Sequence, residues 1–333
     1  MCPRSRPLYI QGGNKMMEYH SIYAPLLNRY ITFKRSFGFK FREEYALKLI
    51  DDFFYGIDAK DIGITRAEAE KYCRQHPNES EANHAARVSC IHRFSQFLMD
   101  VGYTSFIPRN IKYSSTFTPK IFTQDEIARI FTATDNLKYP KGSNYHHKAM
   151  PVIIRLLYAT GMRAGEVVSL MVDDINLEVG TILIREPKNG KNRKIPISDS
   201  MLEILKRYAA RFNVGASAKQ HFFRRPNGQT CNRDLIYRLF RKVLEDAGIP
   251  HLGRGGGPRL HDVRHTFSVH SFASMADAGL DLYYSLPLLS TYLGHSNLQA
   301  TEGYIRLTEE MYPGIIADSN KISPSIFPEV SYE

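Results

Sequence analysis

The chain has 333 residues, 43% hydrophobic and 23% charged, a globular profile that excludes collagen-like, disordered and disulfide-knotted chains. At roughly 100–200 residues per domain, the length predicts two domains, with three small ones as the alternative. The 44 basic residues against 34 acidic ones leave a net charge of +10. With no run of roughly 20 apolar residues to span a membrane, that excess points to a polyanionic partner, with ordinary solubility charge as the plain alternative.

Residues 1–20 read as a flexible N-terminal arm with two prolines and a Gly-Gly pair. They lack the apolar core of an export signal. Helical spacing then begins: Ile22, Leu26, Tyr30, Phe33 and Phe37, next Ala46, Leu49, Ile50, Phe53, Phe54 and Ile57, and later Val88, Ile91, Phe94, Leu98 and Val101. Residues 21–107 are therefore expected to form a small all-helical domain. In it Lys34, Arg35, Lys40 and Arg42 interleave with Phe37, Phe39 and Phe41. They make either a DNA-facing edge or a helix end with buried aromatics and solvated bases. Residues 108–121 read as a linker bracketed by Pro108 and Pro119. A second domain is expected from about Phe122, with Thr123 and Glu126 as a capping box. The stretch from Ile204 to Arg225 holds Lys206, Arg207, Arg211, Lys219, Arg224 and Arg225 and no acid. Just upstream lie Arg185, Lys188, Lys191, Arg193 and Lys194. Such clusters neutralise phosphates and release counterions. The four cysteines, Cys2, Cys73, Cys90 and Cys231, have no CxxC spacing, which fits a reducing compartment and no zinc site.

Three segments of the second domain carry chemistry. In ATGMRAGEVVSL (159–170), Gly161 allows a tight turn and a helix is expected near Ala164. Arg163 then stands at a helix entrance, where N–H groups favour an anion; in isolation it reads equally as an arginine capping a turn. Next, Ile182 and Ile184, then Ile195 and Ile197, alternate about Lys188-Asn189-Gly190-Lys191, a hairpin signal. Its two lysines either reach a groove or stay solvated. Finally His261-Asp262-Val263-Arg264-His265 opens a helix, Leu293-Gly294-His295 follows, and Tyr304 comes nine residues after His295. His261 and His265 have the i, i+4 spacing of a zinc pair, but no third ligand is evident.

Taken together, TGMRAGEVVSL, the Lys188 hairpin ending RKIPIS, RLHDVRHTFS and LGHSNLQATEGYIRL resemble the tyrosine recombinases of the phage-integrase family over about residues 122–312. LPLLSTYLGHSN is more similar to the integrases of mobile elements than to chromosome-dimer resolvases. The resemblance implies a mainly α fold with a small β-sheet. An all-helical, SAM-like core-binding domain (21–107) would precede a mixed α/β catalytic domain (122–312). It implies Tyr304 as nucleophile, Arg163 and Arg264 as a phosphate clamp, Lys188 as acid for the leaving oxygen, His261 as proton acceptor or relay, and His295 as a phosphate hydrogen-bond donor. Tyr292 and Tyr312 are the other tyrosines nearby, read as packing residues. Lys191 matches a DNA-contact position, and Arg185, Arg193, Lys34, Arg35, Lys40, Arg42, Arg224 and Arg225 are the further DNA candidates. No cofactor is implied. The implied partners are double-stranded DNA with paired half-sites, three further copies of the chain in a tetramer on that DNA, and accessory proteins that set direction. The implied location is the cytoplasm, for a bacterial or phage-encoded protein that is nucleoid-associated when bound. Residues 313–333 are expected to form a C-terminal tail that docks on a neighbouring subunit. Two stretches depart from the family pattern, Gly253–Gly257 and SMADAGLDLYYSLP, and both are expected to be loop elaborations. The alternatives are a type IB topoisomerase, which shares the catalytic logic, and a non-catalytic DNA-binding protein on the same fold.

Overall fold

Helix-start chemistry and apolar spacing set the elements of the chain. The computed structural model describes residues 17–38, 41, 43–113, 118–138, 146–185, 192–225, 227–253 and 257–294. It divides into two compact units, residues 1–117 and 118–333.

The first unit is helical throughout: α1 (Ala24–Ser36), α2 (Glu44–Gly56), α3 (Arg66–Cys73) and α4 (Glu81–Asp100). Pro25 at the start of α1 supplies a preset φ and lacks only an N–H that the first turn leaves unused. Leu27, Leu47, Ile50, Phe54, Ile91, Phe94 and Leu98 form its core. The buried carboxylate of Asp51 accepts the backbone N–H groups of His20 and Ser21, both at 2.8 Å, and so fixes the chain just before α1. The aromatic–basic stretch opens outward in part: Phe33 and Phe37 are exposed, and the Lys34 ammonium lies 5.3 Å from the Tyr30 ring centroid. Phe41 instead packs edge-on against Tyr30. The short α3 was not anticipated. Its start is a capping box of Thr65 and Glu68.

The second unit opens with α5 (Gln124–Asp135), whose N-terminus is closed by the Thr123–Glu126 capping box. Just before it, the Phe122 N–H donates to the Thr266 hydroxyl at 3.1 Å. Then come α6 (His146–Thr160), α7 (Ala164–Ser169), a short 3-10 turn, β1 (Ile175–Asn176), β2 (Thr181–Ile184), β3 (Arg193–Pro196), α8 (Asp199–Phe212), α9 (Arg233–Asp246), α10 (Asp262–Asp277) and α11 (Leu282–Leu293). Helix α6 packs against α5, α7, α8, α9 and α10 and is the centre of the unit. Its Ile153, Ile154, Leu156 and Leu157 are buried. The strands form an antiparallel sheet in the order β1-β2-β3, with Ile182 opposite Ile195 and Ile184 opposite Arg193. Ile182, Ile184 and Ile195 face the core, as period-2 alternation requires. Among the described residues no helix is long and apolar enough to cross a membrane.

One expectation is corrected. SMADAGLDLYYSLP is not a loop: it holds the end of α10, a turn with Gly279 at φ +73°, and the first half of α11. The helical stripe of α11 is Leu286, Leu289 and Leu293, which pack on Val269 and Phe272 of α10. Most of that stripe lies beyond the quoted phrase, and Pro287 inside the helix hides it from a propensity reading. Of the glycine-rich stretch 253–257, residues 254–256 lie outside the described residues.

Candidate active site

Arg163 stands where α6 gives way to α7. The chain turns there on Gly161 at φ +58°. A Cβ at that position would lie 2.4 Å from a Phe267 ring carbon and 2.7 Å from a Leu293 methyl. The turn is therefore pressed onto α10 and the end of α11, and only glycine permits both the φ and the approach. Arg163 follows as the extended N-cap of α7. Its backbone N–H and its guanidinium each donate to Glu166, both at 2.9 Å. From the other side Arg193, at the start of β3, donates to the two oxygens of the same carboxylate at 3.2 and 2.9 Å. Burial pushes the Glu166 carboxyl up. The hydrogen bonds from Arg193 and the Arg163 N–H, with both positive charges, outweigh it and hold the group below its ordinary value. Glu166 is thus an ionised anchor for two guanidinium groups.

Arg264, on the first turn of α10, is 2% exposed. Its guanidinium donates to the carbonyl of Gly161 and, at 2.9 Å, to that of Leu293. One side chain thereby ties the Arg163 turn to the end of α11. His261 is the residue before α10, with its ring edge-on to His265 at 4.9 Å between centroids. Protein packed around the ring, then the charges of Arg264 and Arg163, push its pKa down to about 4 against an opposing pull from Glu166. His261 is exposed to solvent at the surface, so the two guanidinium charges are the sturdier cause. The ring is neutral at neutral pH and able to accept a proton. A depressed folded-state pKa contributes stability above the unfolded value of 6.5, and that stability is lost as pH falls toward 4. In the DNA-free protein, an NMR titration of His261 is expected to have its midpoint below 6.5; a midpoint at or above 6.5 would mean the guanidinium charges do not reach the ring.

The structure thus brings Arg163, Arg264 and His261 together. Lys188, His295 and Tyr304 lie outside the described residues, as do Lys191, Lys40 and Arg42. Gly294, which immediately precedes His295, is described and abuts Arg193. Tyr292 donates its hydroxyl to the Pro196 carbonyl at 3.0 Å and stacks on Phe267, and burial pushes its pKa up to about 12. The remaining DNA candidates sit on separate elements with partners of their own. Arg185 pairs with Asp174 and Asp173, and Arg35 with Glu44. Arg224 donates to Asn213 and to the Phe212 carbonyl. Arg225 donates to Gln229 and to the Thr230 carbonyl. Among the described residues no three His, Cys, Asp or Glu side chains gather as a metal site. Glu166 was missed by sequence reasoning. The signal was there: it stands three residues after Arg163 at a helix start, the spacing of a capping carboxylate.

Residues 120–311 match the phage integrase family. The chain belongs to that family. It is a site-specific tyrosine recombinase, an enzyme that cleaves and rejoins DNA. It is 26% identical over 309 residues to y4rB of Sinorhizobium fredii, a match that spans 87% of this chain and 95% of that one. It is 30% identical to the tyrosine recombinase XerA of Pyrococcus furiosus, over 60% of this chain and 61% of that one. Among solved structures it is similar in fold to the Tn1549 transposon integrase in complex with transposon right end DNA, with a TM-score of 0.61 and 15% identity over 90% of this chain and 99% of that one.

Proposed function

We propose that the chain cleaves one DNA strand at a time through Tyr304. The observation that carries this reading is the meeting of Arg163, Arg264 and a neutral His261 beside the end of α11, from which the chain leads on to His295 and Tyr304. The Tyr304 oxygen attacks the scissile phosphorus, and a 3′-phosphotyrosine bond forms as the bond to the 5′ oxygen breaks. His261 takes or relays the tyrosine proton, and Lys188 protonates the departing 5′ oxygen. The two arginines hold the non-bridging oxygens as charge builds on them, and His295 adds a hydrogen bond. The phosphotyrosine keeps the energy of the phosphodiester, so rejoining needs no nucleotide.

The helical unit, residues 21–107, grips the DNA core site, with the exposed Phe33–Phe37 end of α1 and Lys34 on the DNA side. Four protomers assemble on two paired half-site duplexes, each tail 313–333 docking on the next subunit. Accessory proteins set direction, and the substrate is the end of a mobile element. The family match, the named transposon integrase of like fold and the phrase LPLLSTYLGHSN support that placement.

The test begins by selecting bound duplexes from a random-sequence pool. A nicked suicide version of the selected site should trap a covalent adduct, and two intact sites should exchange strands. Relaxation of supercoiled DNA without exchange would favour the topoisomerase reading. Binding without adduct would favour a non-catalytic protein.

A further inference from the structure

Arg193 matches a basic position read from sequence as a DNA contact, yet the structure turns it inward. Its side chain is 11% exposed, and that of its partner Glu166 is 8% exposed. Its donors reach both Glu166 oxygens on one side and the Tyr292 carbonyl, at 3.1 Å, on the other. Gly294 closes the arrangement. It sits at φ +68°, and a Cβ there would lie 2.9 to 3.1 Å from the Arg193 guanidinium and its Cδ. The absence of a side chain at Gly294 lets the end of α11 press directly on Arg193. Glu166 in turn holds the backbone and the guanidinium of Arg163.

One side chain therefore touches the end of the helix that precedes His295 and, through a shared carboxylate, the first arginine of the phosphate clamp. We propose that Arg193 is a positioning residue for strand cleavage: it sets the end of α11, the helix that precedes His295 in the sequence, in register with Arg163. This rests on the roles given above to Arg163 and Tyr304. A planar guanidinium suits the task because its fork spans a carboxylate bidentately while its Nε–H bonds a third acceptor. Lysine offers a point charge and cannot bridge all three.

The test uses the full chain and the selected duplex. Arg193→Gln and Arg193→Lys are compared with the parent for DNA affinity across a salt series and for the single-turnover rate of adduct formation. Affinity and salt slope should be unchanged. The adduct rate should fall about a hundredfold in both variants, the scale expected for misplacing a reacting group by about an ångström. A substrate with a 5′-bridging sulfur, whose leaving group needs no proton, should not restore the rate, because the fault lies in the clamp and the nucleophile rather than in Lys188. Gly294→Ala, which keeps the arginine but places a Cβ 2.9 Å from its guanidinium and strains the backbone at φ +68°, should give the same pattern, and it decides the matter should the Arg193 variants fail to fold. Weaker binding with the salt slope reduced by about one, and cleavage that follows occupancy, would make Arg193 a DNA contact and overturn the proposal. So would rescue by the sulfur substrate, or adduct rates equal to the parent's. A parent that forms no adduct overturns the recombinase mechanism itself, a result visible before any variant is compared.

Discussion

Replacing Tyr304 by phenylalanine is expected to abolish the covalent DNA adduct while DNA affinity stays within about fivefold of the parent, the worth of one hydrogen bond. Phenylalanine keeps the ring and removes only the oxygen proposed to attack, so no bond to phosphorus can form and no residual rate is expected. Suicide-substrate trapping on a denaturing gel measures the adduct, and gel shifts on the same duplex measure affinity. Tyr292 is the described competitor, and its surroundings argue against it. Its hydroxyl is spent on the Pro196 carbonyl, and burial raises its pKa to about 12, away from the phenolate that attack requires. Tyr292→Phe should therefore keep the adduct. An adduct that survives in Tyr304→Phe and vanishes in Tyr292→Phe would transfer the nucleophile to α11.

Much of this was legible in the sequence because local chemistry wrote it there. The Thr123–Glu126 box announced α5, and the alternation of Ile182, Ile184 and Ile195 announced the paired strands. Arg163, His261 and Arg264 were legible from their segments, and the structure adds how they meet: a glycine turn pressed on Phe267 and Leu293, and a guanidinium clasping two carbonyls. Those contacts join separate segments, 103 positions apart for Arg264 and Gly161 and 29 for Arg264 and Leu293, which no local pattern encodes. Separation in sequence also hides the surroundings of Arg193 and of α11. Arg193 looks like one more base in a basic hairpin until Glu166 and Tyr292 are seen beside it. Helix α11 looks like a loop until its leucines are seen against α10. Basic residues were the least informative. Arg185, Arg224 and Arg225 have intramolecular partners that net charge cannot reveal.

The two arginines proposed as the phosphate clamp, Arg163 and Arg264, are expected to separate when each is replaced by alanine, because the fold uses them differently. Either change should slow cleavage by about 10²–10³-fold, the loss of one preorganised donor at a developing oxyanion. Binding should fall less, since DNA affinity is spread over many phosphate contacts rather than carried by one. Stability is where they part. Arg163 is 29% exposed on its side chain, and its carboxylate partner retains Arg193 when it is gone. Its removal should cost about 1 kcal/mol or less, as for other partly exposed ion pairs. Arg264 is 2% exposed and supplies the donors for the Gly161 and Leu293 carbonyls. Its removal leaves both acceptors without that donor, at about 1–3 kcal/mol each, and opens a cavity beneath the Arg163 turn. Arg264→Ala should therefore be destabilised by several kcal/mol, seen as a lower urea midpoint, whereas Arg163→Ala should unfold near the parent's. Arg264→Lys sharpens the contrast: it keeps the charge but not the fork, so it reaches one carbonyl at most and should recover part of the stability with little of the rate. Equal midpoints for Arg163→Ala and Arg264→Ala would mean that Arg264 serves the phosphate alone. The tie between the Arg163 turn and the end of α11 would then fall to Glu166 and Arg193.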